Sequence, residues 1–330
     1  MKPRISHGSC SVTLEDTTLA GIATTAGPGV LLRAEAASGL VLSQSHGADV
    51  VRSTISSVTG SPLGTQGVQT GVLLTFMLGD TRLANSVVST TRGSDVNVAI
   101  SAHSLGGAGS LSLFYVTALA GNDYDRTGAL PPNHWSAPIA LSGELGSVRI
   151  LNSVLANGAG LGVSTLQTVI AGIDRGMDRM TADPRTFELR GTAISFPFRD
   201  YYESEALVYC EPDAERYARN IYNESDLNYA AFHRCYPIAS GSSYVSSDNL
   251  AFNAAPDEVP TLGRPAVRFS PSGRPLPSAA TPSTVAITAL RSAGVDLTTE
   301  PVAAPETLAW DLARVARLVT PPGAGAWVLP

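Results

Sequence analysis

Apolar positions along the first 145 residues fall into short runs bounded by Gly, Pro, Asn or Asp, which predict strands. These are VTLED from Val12, GVLLRAEA from Gly29, GLVLSQS from Gly39, GVLLTFML from Gly71, VNVAISA from Val96 and LSLFYVTALA from Leu111. Two stretches between them follow a helical period instead. ADVVRSTISSVTG sets Val50, Val51, Thr54, Ile55 and Val58 on one face, closed by Gly60. DTRLANSVV predicts a second short helix capped by Asp80.

Helical spacing becomes more frequent further on. VRILNSVLANG aligns Ile150, Leu151, Val154 and Leu155, with Gly158 placed to cap the C-terminus. Ser164 then opens the clearest pattern, Leu166, Val169, Ile170, Ile173, Met177 and Met180. TFELRGTAISF reads as a strand with a glycine bend, and DAERYARNIY after Pro212 as a helix. Across 253–283, Pro256, Pro260, Pro265, Pro271, Pro275, Pro277 and Pro282 oppose helix and ladder pairing, so an extended arm is expected. Two helices, 284–293 and 306–319, follow it, ended by Gly294 and by Pro321-Pro322.

This order predicts an α+β fold of mixed helices and short antiparallel strands. It divides the chain into a β-rich region at 1–145, a mixed region at 146–252, and a Pro-rich arm with C-terminal helices at 253–330. No internal repeat is visible.

Composition narrows the functional classes. Charged residues make up 15% of the chain, well below the usual quarter, against 44% hydrophobic. The surface implied is rich in neutral small residues, as on a subunit covered by its neighbours. No run of eighteen apolar residues and no signal-peptide pattern occurs, so a soluble cytosolic protein without membrane contact is expected. Cys10, Cys210 and Cys235 have no C-x-x-C spacing and read as free buried thiols. No His or Cys pair sits at metal-ligand spacing, and no GxGxxG or Walker loop occurs, so no metal or cofactor is expected. The net charge is −6 and Lys2 is the single lysine, so any nucleic acid would be held without a strong or sequence-specific grip.

One stretch points to hydrolytic chemistry. NVAISAHSLGGAGS places Ser104 between small residues, in the spacing of the nucleophile elbow of α/β-hydrolases. A triad would need an acid and a histidine downstream, for which Asp213 and His233 are the candidates. The elbow also needs a following helix, whereas GSLSLFYVTALAG is strand-like. A glycine turn between two strands is therefore the preferred reading. His233-Arg234-Cys235 reads as a buried thiol beside a surface cation, and Trp135 and Trp310 as core or interface anchors.

Several segments carry a family resemblance: RGSDVNVAISAHSL at Arg92, AGNDYDRTGALPPNHWSAPIAL at Ala120, TADPRTFELRG at Thr181, YNESDLNYAAFHRCYP at Tyr222 and the Pro/Ala-rich run after Ala254. In these the chain resembles the capsid proteins of fungal double-stranded RNA viruses, totivirus-like and of the victorivirus type, of which it would be a C-terminal half or a divergent piece. The resemblance implies a totivirus-like α+β capsid architecture and no catalysis. It implies an icosahedral shell around a double-stranded RNA genome, built from copies of this chain and, in a split capsid, a second capsid chain. It places the protein in the virion and the host cytoplasm. Trp135, Pro265, Pro271, Pro275 and Trp310 are the interface candidates.

Overall fold

The structure is a computed structural model, which describes residues 11–21, 36–44, 46–58, 68–90, 96–104, 109–121, 135–143, 145–157, 166–167, 170–172, 186–196, 208–209, 243–253, 267–270, 272–276, 288–298, 309–317 and 323–327. The described residues between Ser11 and Asn253 wind as a solenoid in which the chain visits three parallel sheets in turn, once per coil. The first coil holds β1 (Ser11–Glu15), β2 (Thr18–Ala20) and β3 (Ala36–Ser43). The second holds β4 (Gly47–Val51), β5 (Thr54–Val58) and β6 (Val68–Thr75), and the third β7 (Thr81–Ala84), β8 (Val87–Thr90) and β9 (Val96–Ser104). The fourth holds β10 (Leu111–Phe114), β11 (Thr117–Ala120) and β12 (Trp135–Gly143). The fifth holds β13 (Ser147–Leu151), β14 (Val154–Asn157), β15 (Leu166–Gln167) and β16 (Ile170–Gly172). The sixth holds β17 (Thr186–Arg190), β18 (Ala193–Phe196) and β19 (Val208–Tyr209), and the seventh begins with β20 (Ser243–Ser247) and β21 (Leu250–Asn253).

Sheet A stacks β1-β4-β7-β10-β13-β17-β20, sheet B stacks β2-β5-β8-β11-β14-β18-β21, and sheet C runs β3-β6-β9-β12-β16-β19. Every pairing within these sheets is parallel. The α+β expectation of helices with short antiparallel strands is thereby corrected, and with it the totivirus-like architecture.

The physical reason lies at the corner between sheets A and B. The apolar positions read as helical stripes at Val50–Ile55 and Ile150–Leu155 belong to two short strands around a two-residue turn. The first turn residue, Arg52 or Asn152, sits at positive φ (45° and 49°), which no α-helix tolerates. The strands flanking it are rich in β-branched residues and obtain their hydrogen bonds from neighbouring coils. The stretch after Asp80 likewise forms β7 and β8, and Leu166–Gln167 and Ile170–Gly172 are strands of sheet C. In the tail, 288–291 make a single helical turn and 309–317 contain no helix. The helix expected after Pro212, the remainder of the stretch after Ser164 and the three cysteines lie outside the described residues.

Solenoid winding turns the hydrophobic pattern into stacked rows. Val50, Leu83, Leu113, Ile150 and Leu189 are in register along sheet A. Ile55, Val88, Ala118, Leu155 and Ile194 do the same in sheet B, and Leu42, Leu74, Ala102 and Leu141 in sheet C. All belong to one buried cluster. Coils about 4.8 Å apart put each side chain directly against its counterpart, and each buried Leu or Ile stabilises by roughly 1.5–3 kcal/mol. Sheet C presses closely on sheet B at Gly71, where a Cβ would lie 2.4 Å from Val88 Cγ1 and 2.6 Å from the Ala99 carbonyl oxygen.

Candidate functional site

The corner between sheets A and B is built from a repeating six-residue unit: an inward apolar residue, an outward residue, a positive-φ residue, a small polar residue, another outward residue and a second inward apolar residue. It reads Leu14-Glu15-Asp16-Thr17-Thr18-Leu19 in the first coil and Leu83-Ala84-Asn85-Ser86-Val87-Val88 in the third. The positive-φ column comprises Asp16, Arg52, Asn85, Tyr115, Asn152, Gly191 and Asp248. The backbone N–H groups from Asp16 to Gly191 in it each donate to a carbonyl of the next coil, as from Arg52 to Ala84 (2.9 Å) and from Asn85 to Phe114 (3.0 Å). The next position forms a hydroxyl column. Ser53 donates its backbone N–H to Ser86 Oγ (3.1 Å), Val116 donates to Ser153 Oγ (3.1 Å), and Thr192 donates to Asn249 Oδ1 (3.1 Å). The hydroxyls of Ser53, Ser86 and Ser153 each donate to the carbonyl two residues back.

A C-terminal strap lies across this corner. It contains the antiparallel hairpin β22 (Arg268–Phe269) and β23 (Pro275–Leu276), then segments 288–298, 309–317 and 323–327. On the outer face of sheet B it buries Leu119, Val154, Ala156, Ala193 and Phe252 under Val267, Phe269, Leu290, Ala293 and Ala324. On the corner itself Ala84, Phe114, Tyr115 and Leu151 are covered by Leu297 and Val295. Sheet B is thus apolar on both faces, which explains why β8 and β11 read as continuous buried runs.

Polar groups fix the strap to the column one coil at a time. Asp16 accepts from Arg52 Nε (3.0 Å) and from Arg314 Nη2 (2.5 Å). Asn85 Oδ1 accepts from Arg317 Nη2 (2.9 Å) and Nε (3.2 Å), and the same guanidinium lies 3.9 Å from the Tyr115 ring centroid. Asn152 exchanges two hydrogen bonds with the backbone of Val295. Gly191 (φ +58°) admits the strap, because a Cβ there would stand 2.3 Å from Asn152 Oδ1 and 2.8 Å from the Val295 nitrogen. Gly325 donates to the Asn152 carbonyl and Ala326 to Thr117 Oγ1.

Electrostatics follow burial. The Arg52 guanidinium, helped by Arg314, holds the Asp16 carboxyl below its usual range. Desolvation pushes Arg317 down to about 10, partly offset by Tyr115 and Asp311, and burial also pushes the Tyr115 phenol up. The outer face of sheet A carries ion pairs between adjacent coils, Arg82–Asp49 (2.8 Å) and Arg149–Glu188 (2.6 Å), with Arg190–Glu188 (2.7 Å) along one strand. Near sheet C, Val41, Phe76 and Leu78 are exposed, and the His103 ring meets Phe76 edge-on at 6.2 Å.

Ser104 is the last residue of β9, in register with Gly143, and the next described element is the strand β10. Asp213 and His233 lie outside the described residues, as do Pro265 and Pro271. Trp135 opens β12, Pro275 opens β23, and Trp310 is an exposed strap residue bridged to Ala316. Asn85, Asn152 and Arg317 were not singled out from sequence, whereas Gly191 is the glycine bend read in TFELRGTAISF; the recurring corner unit was the available signal for the two asparagines. Among the described residues no group of three His, Cys, Asp or Glu side chains could hold a metal, and no helix is long and apolar enough to cross a membrane. No protein-family model, curated protein or solved structure matches the chain.

Proposed function

We propose that the chain is a structural subunit that assembles with copies of itself. The observation that supports this is the state of the first coil. Its inward residues Val12, Leu14, Leu19 and Leu40 pack against the core cluster yet stay only partly buried, so the core meets solvent in cross-section. The strands around that cross-section each have one neighbour among the described residues, β1 with β4, β2 with β5 and β3 with β6. Their outer edges present backbone N–H and C=O groups in strand spacing. Sequence does little to blunt those edges: β1 and β2 carry Glu15 as their one charge, and Arg52 engages it. A second copy would supply a matching backbone ladder and an apolar coil to the described residues of this end.

The shell protein implied by the resemblance is one form of such an assembly, here resting on the solenoid and not on an α+β plate. A closed particle enclosing double-stranded RNA is its strongest version. Size-exclusion chromatography with light scattering, followed by negative-stain microscopy and nuclease-protection of any RNA, tests it. Multimers are expected from the wild type, and Val12→Lys, which places a charge on the open end, should reduce them to monomers. A wild type that stays monomeric at all concentrations sinks the proposal.

A further inference from the structure

The exposed large apolar side chains of the described residues gather at one end of the solenoid. Val41 lies in the first coil, and Phe76 and Leu78 follow β6 of the second. Trp310 and Val315 belong to the strap segment that Arg314 ties to Asp16 of the first coil. Val245, in β20 of the seventh coil, is the one at the other end. We propose that the end formed by the first coil docks on the same end of a second copy, about a two-fold axis through the middle of β1. The inference rests on the self-assembly reading and names the partner surface and its symmetry.

Three observations carry it. First, the axis matches strand edges. Every coil runs through sheets A, B and C in the same sense, so a two-fold across β1 lays that strand antiparallel to its copy and exchanges sheets B and C. The edge of β2 then faces the second copy's β3, and the edge of β3 faces its β2. Centred on Thr13, the register sets the half-buried, inward Val12 opposite the second copy's Leu14, and Ser11 opposite its Glu15.

Second, the same axis exchanges the two corners that flank sheet A. Trp310 and Val315 stand at the corner between sheets A and B, where Arg314 and Arg317 hold their segment against Asp16 and Asn85. Val41, Phe76 and Leu78 stand at or beside the corner between sheets C and A. Rotation therefore brings the strap pair of one copy towards Val41 of the other, with Phe76 and Leu78 one coil behind. An axis through sheet B or sheet C sends one of the two patches to the corner between those sheets, where no large apolar side chain is exposed among the described residues. Third, charge does not oppose the contact. Arg52 pairs with both Glu15 and Asp16, and Arg314 pairs with Asp16 as well, so the two ends meet with their carboxylates neutralised.

Disulfide trapping tests the symmetry in the full chain. Thr13→Cys is made with Cys10, Cys210 and Cys235 replaced by serine. Position 13 faces its own copy across the axis, where opposed Cβ atoms lie about 4.5–5.5 Å apart, close enough for a disulfide after a small adjustment. Mild oxidation is expected to trap a covalent dimer and nothing larger. Thr13 and Val245 share one outward row of sheet A, so head-to-tail stacking would join those two positions instead. Ladders longer than a dimer from Thr13→Cys combined with Val245→Cys overturn the proposal. Wild-type multimers whose Thr13→Cys form gives no covalent dimer also overturn it and leave self-assembly standing, whereas a wild type that is monomeric at all concentrations removes both. A second comparison keeps the native cysteines. In sedimentation, Trp310→Asp should weaken association by about tenfold or more, and Val245→Asp should leave it unchanged. Equal losses, or the reverse order, sink the two-fold contact.

Discussion

Asn152 and Val295 lie 143 positions apart and are joined by two 2.7 Å hydrogen bonds, the amide donating to the Val295 carbonyl and accepting from its N–H. The side chain mimics a strand edge, offering the strap the same donor–acceptor pair that a backbone would. Asn also tolerates the positive φ of this position better than other side-chain-bearing residues. Asn152→Ala should therefore lose both bonds and add backbone strain, costing about 2–4 kcal/mol in urea denaturation. Asn152→Gly loses the same two bonds without the strain, so it should cost less than the alanine. Equal losses for the two would show that the bonds alone matter. Hydrogen exchange at Val295 should accelerate in both.

Arg317 tests whether the planar fork is needed. Two of its nitrogens reach Asn85 Oδ1, a third contact goes to the Gly325 carbonyl, and its face stacks on Tyr115. Lysine keeps the charge but loses the stacking and the fork. Arg317→Lys is expected to destabilise by about 2–3 kcal/mol, close to Arg317→Ala, with fluorescence of Trp327 reporting release of the strap. The pH dependence has a definite sign. Because desolvation depresses the folded pKa to about 10, the unfolded chain holds the proton more tightly above that pH, and this group adds stability as pH rises past it. At neutral pH its desolvation cost is fully present.

How far the fold was legible follows from which interactions are local. TFELRGTAISF announced a strand, a glycine bend and a strand, and β17, Gly191 and β18 occupy those places. The stripe at Val50–Ile55 misled because two short strands around a two-residue turn put apolar residues at spacings a helix also uses. What separates the two is the positive-φ residue, which recurs in every coil and is followed by Ser or Thr in all but the Tyr115-Val116 and Asp248-Asn249 corners. Its spacing hides the repeat: successive units begin at Leu83 and Leu113 in the shortest case and at Leu189 and Ser246 in the longest. Arg317 could not be found this way, since its role depends on partners more than two hundred residues away. Trp310, read from its type as a core or interface anchor, is exposed in the single chain and so is not a core residue.

His103 carries a separate acid sensitivity. Partial burial against Phe76 lowers its pKa below the ordinary 6.5. In the unfolded chain it takes up a proton first, so the folded state loses stability as pH falls through the unfolded pKa. Thermal melts of the wild type and His103→Gln should run parallel above pH 7.5 and diverge below pH 6.5, the wild type dropping further. Parallel curves down to pH 5 would remove His103 as a contributor.

The hydroxyl column makes the most selective prediction. Ser53, Ser86, Ser153 and Thr192 each donate to the carbonyl two residues back, and Ser86, Ser153 and Thr192 accept a backbone N–H from the preceding coil. Val116 interrupts the column with a fully buried side chain in the core cluster. Elsewhere in a core, Val→Thr buries an unpaired hydroxyl and costs roughly 1–3 kcal/mol. At position 116 the new hydroxyl would find the Phe114 carbonyl in the relation that Ser86 Oγ has to Ala84. Val116→Thr should therefore lie within about 0.5 kcal/mol of the wild type, while the same change at Val88, on the inward row of sheet B, should cost the full amount. The comparison is internal, because both sites are fully buried in parallel strands or the turns joining them. Equal losses at the two positions would mean that the column is a by-product of the turn, and not a built-in run of hydrogen bonds that sets the winding of one coil on the next.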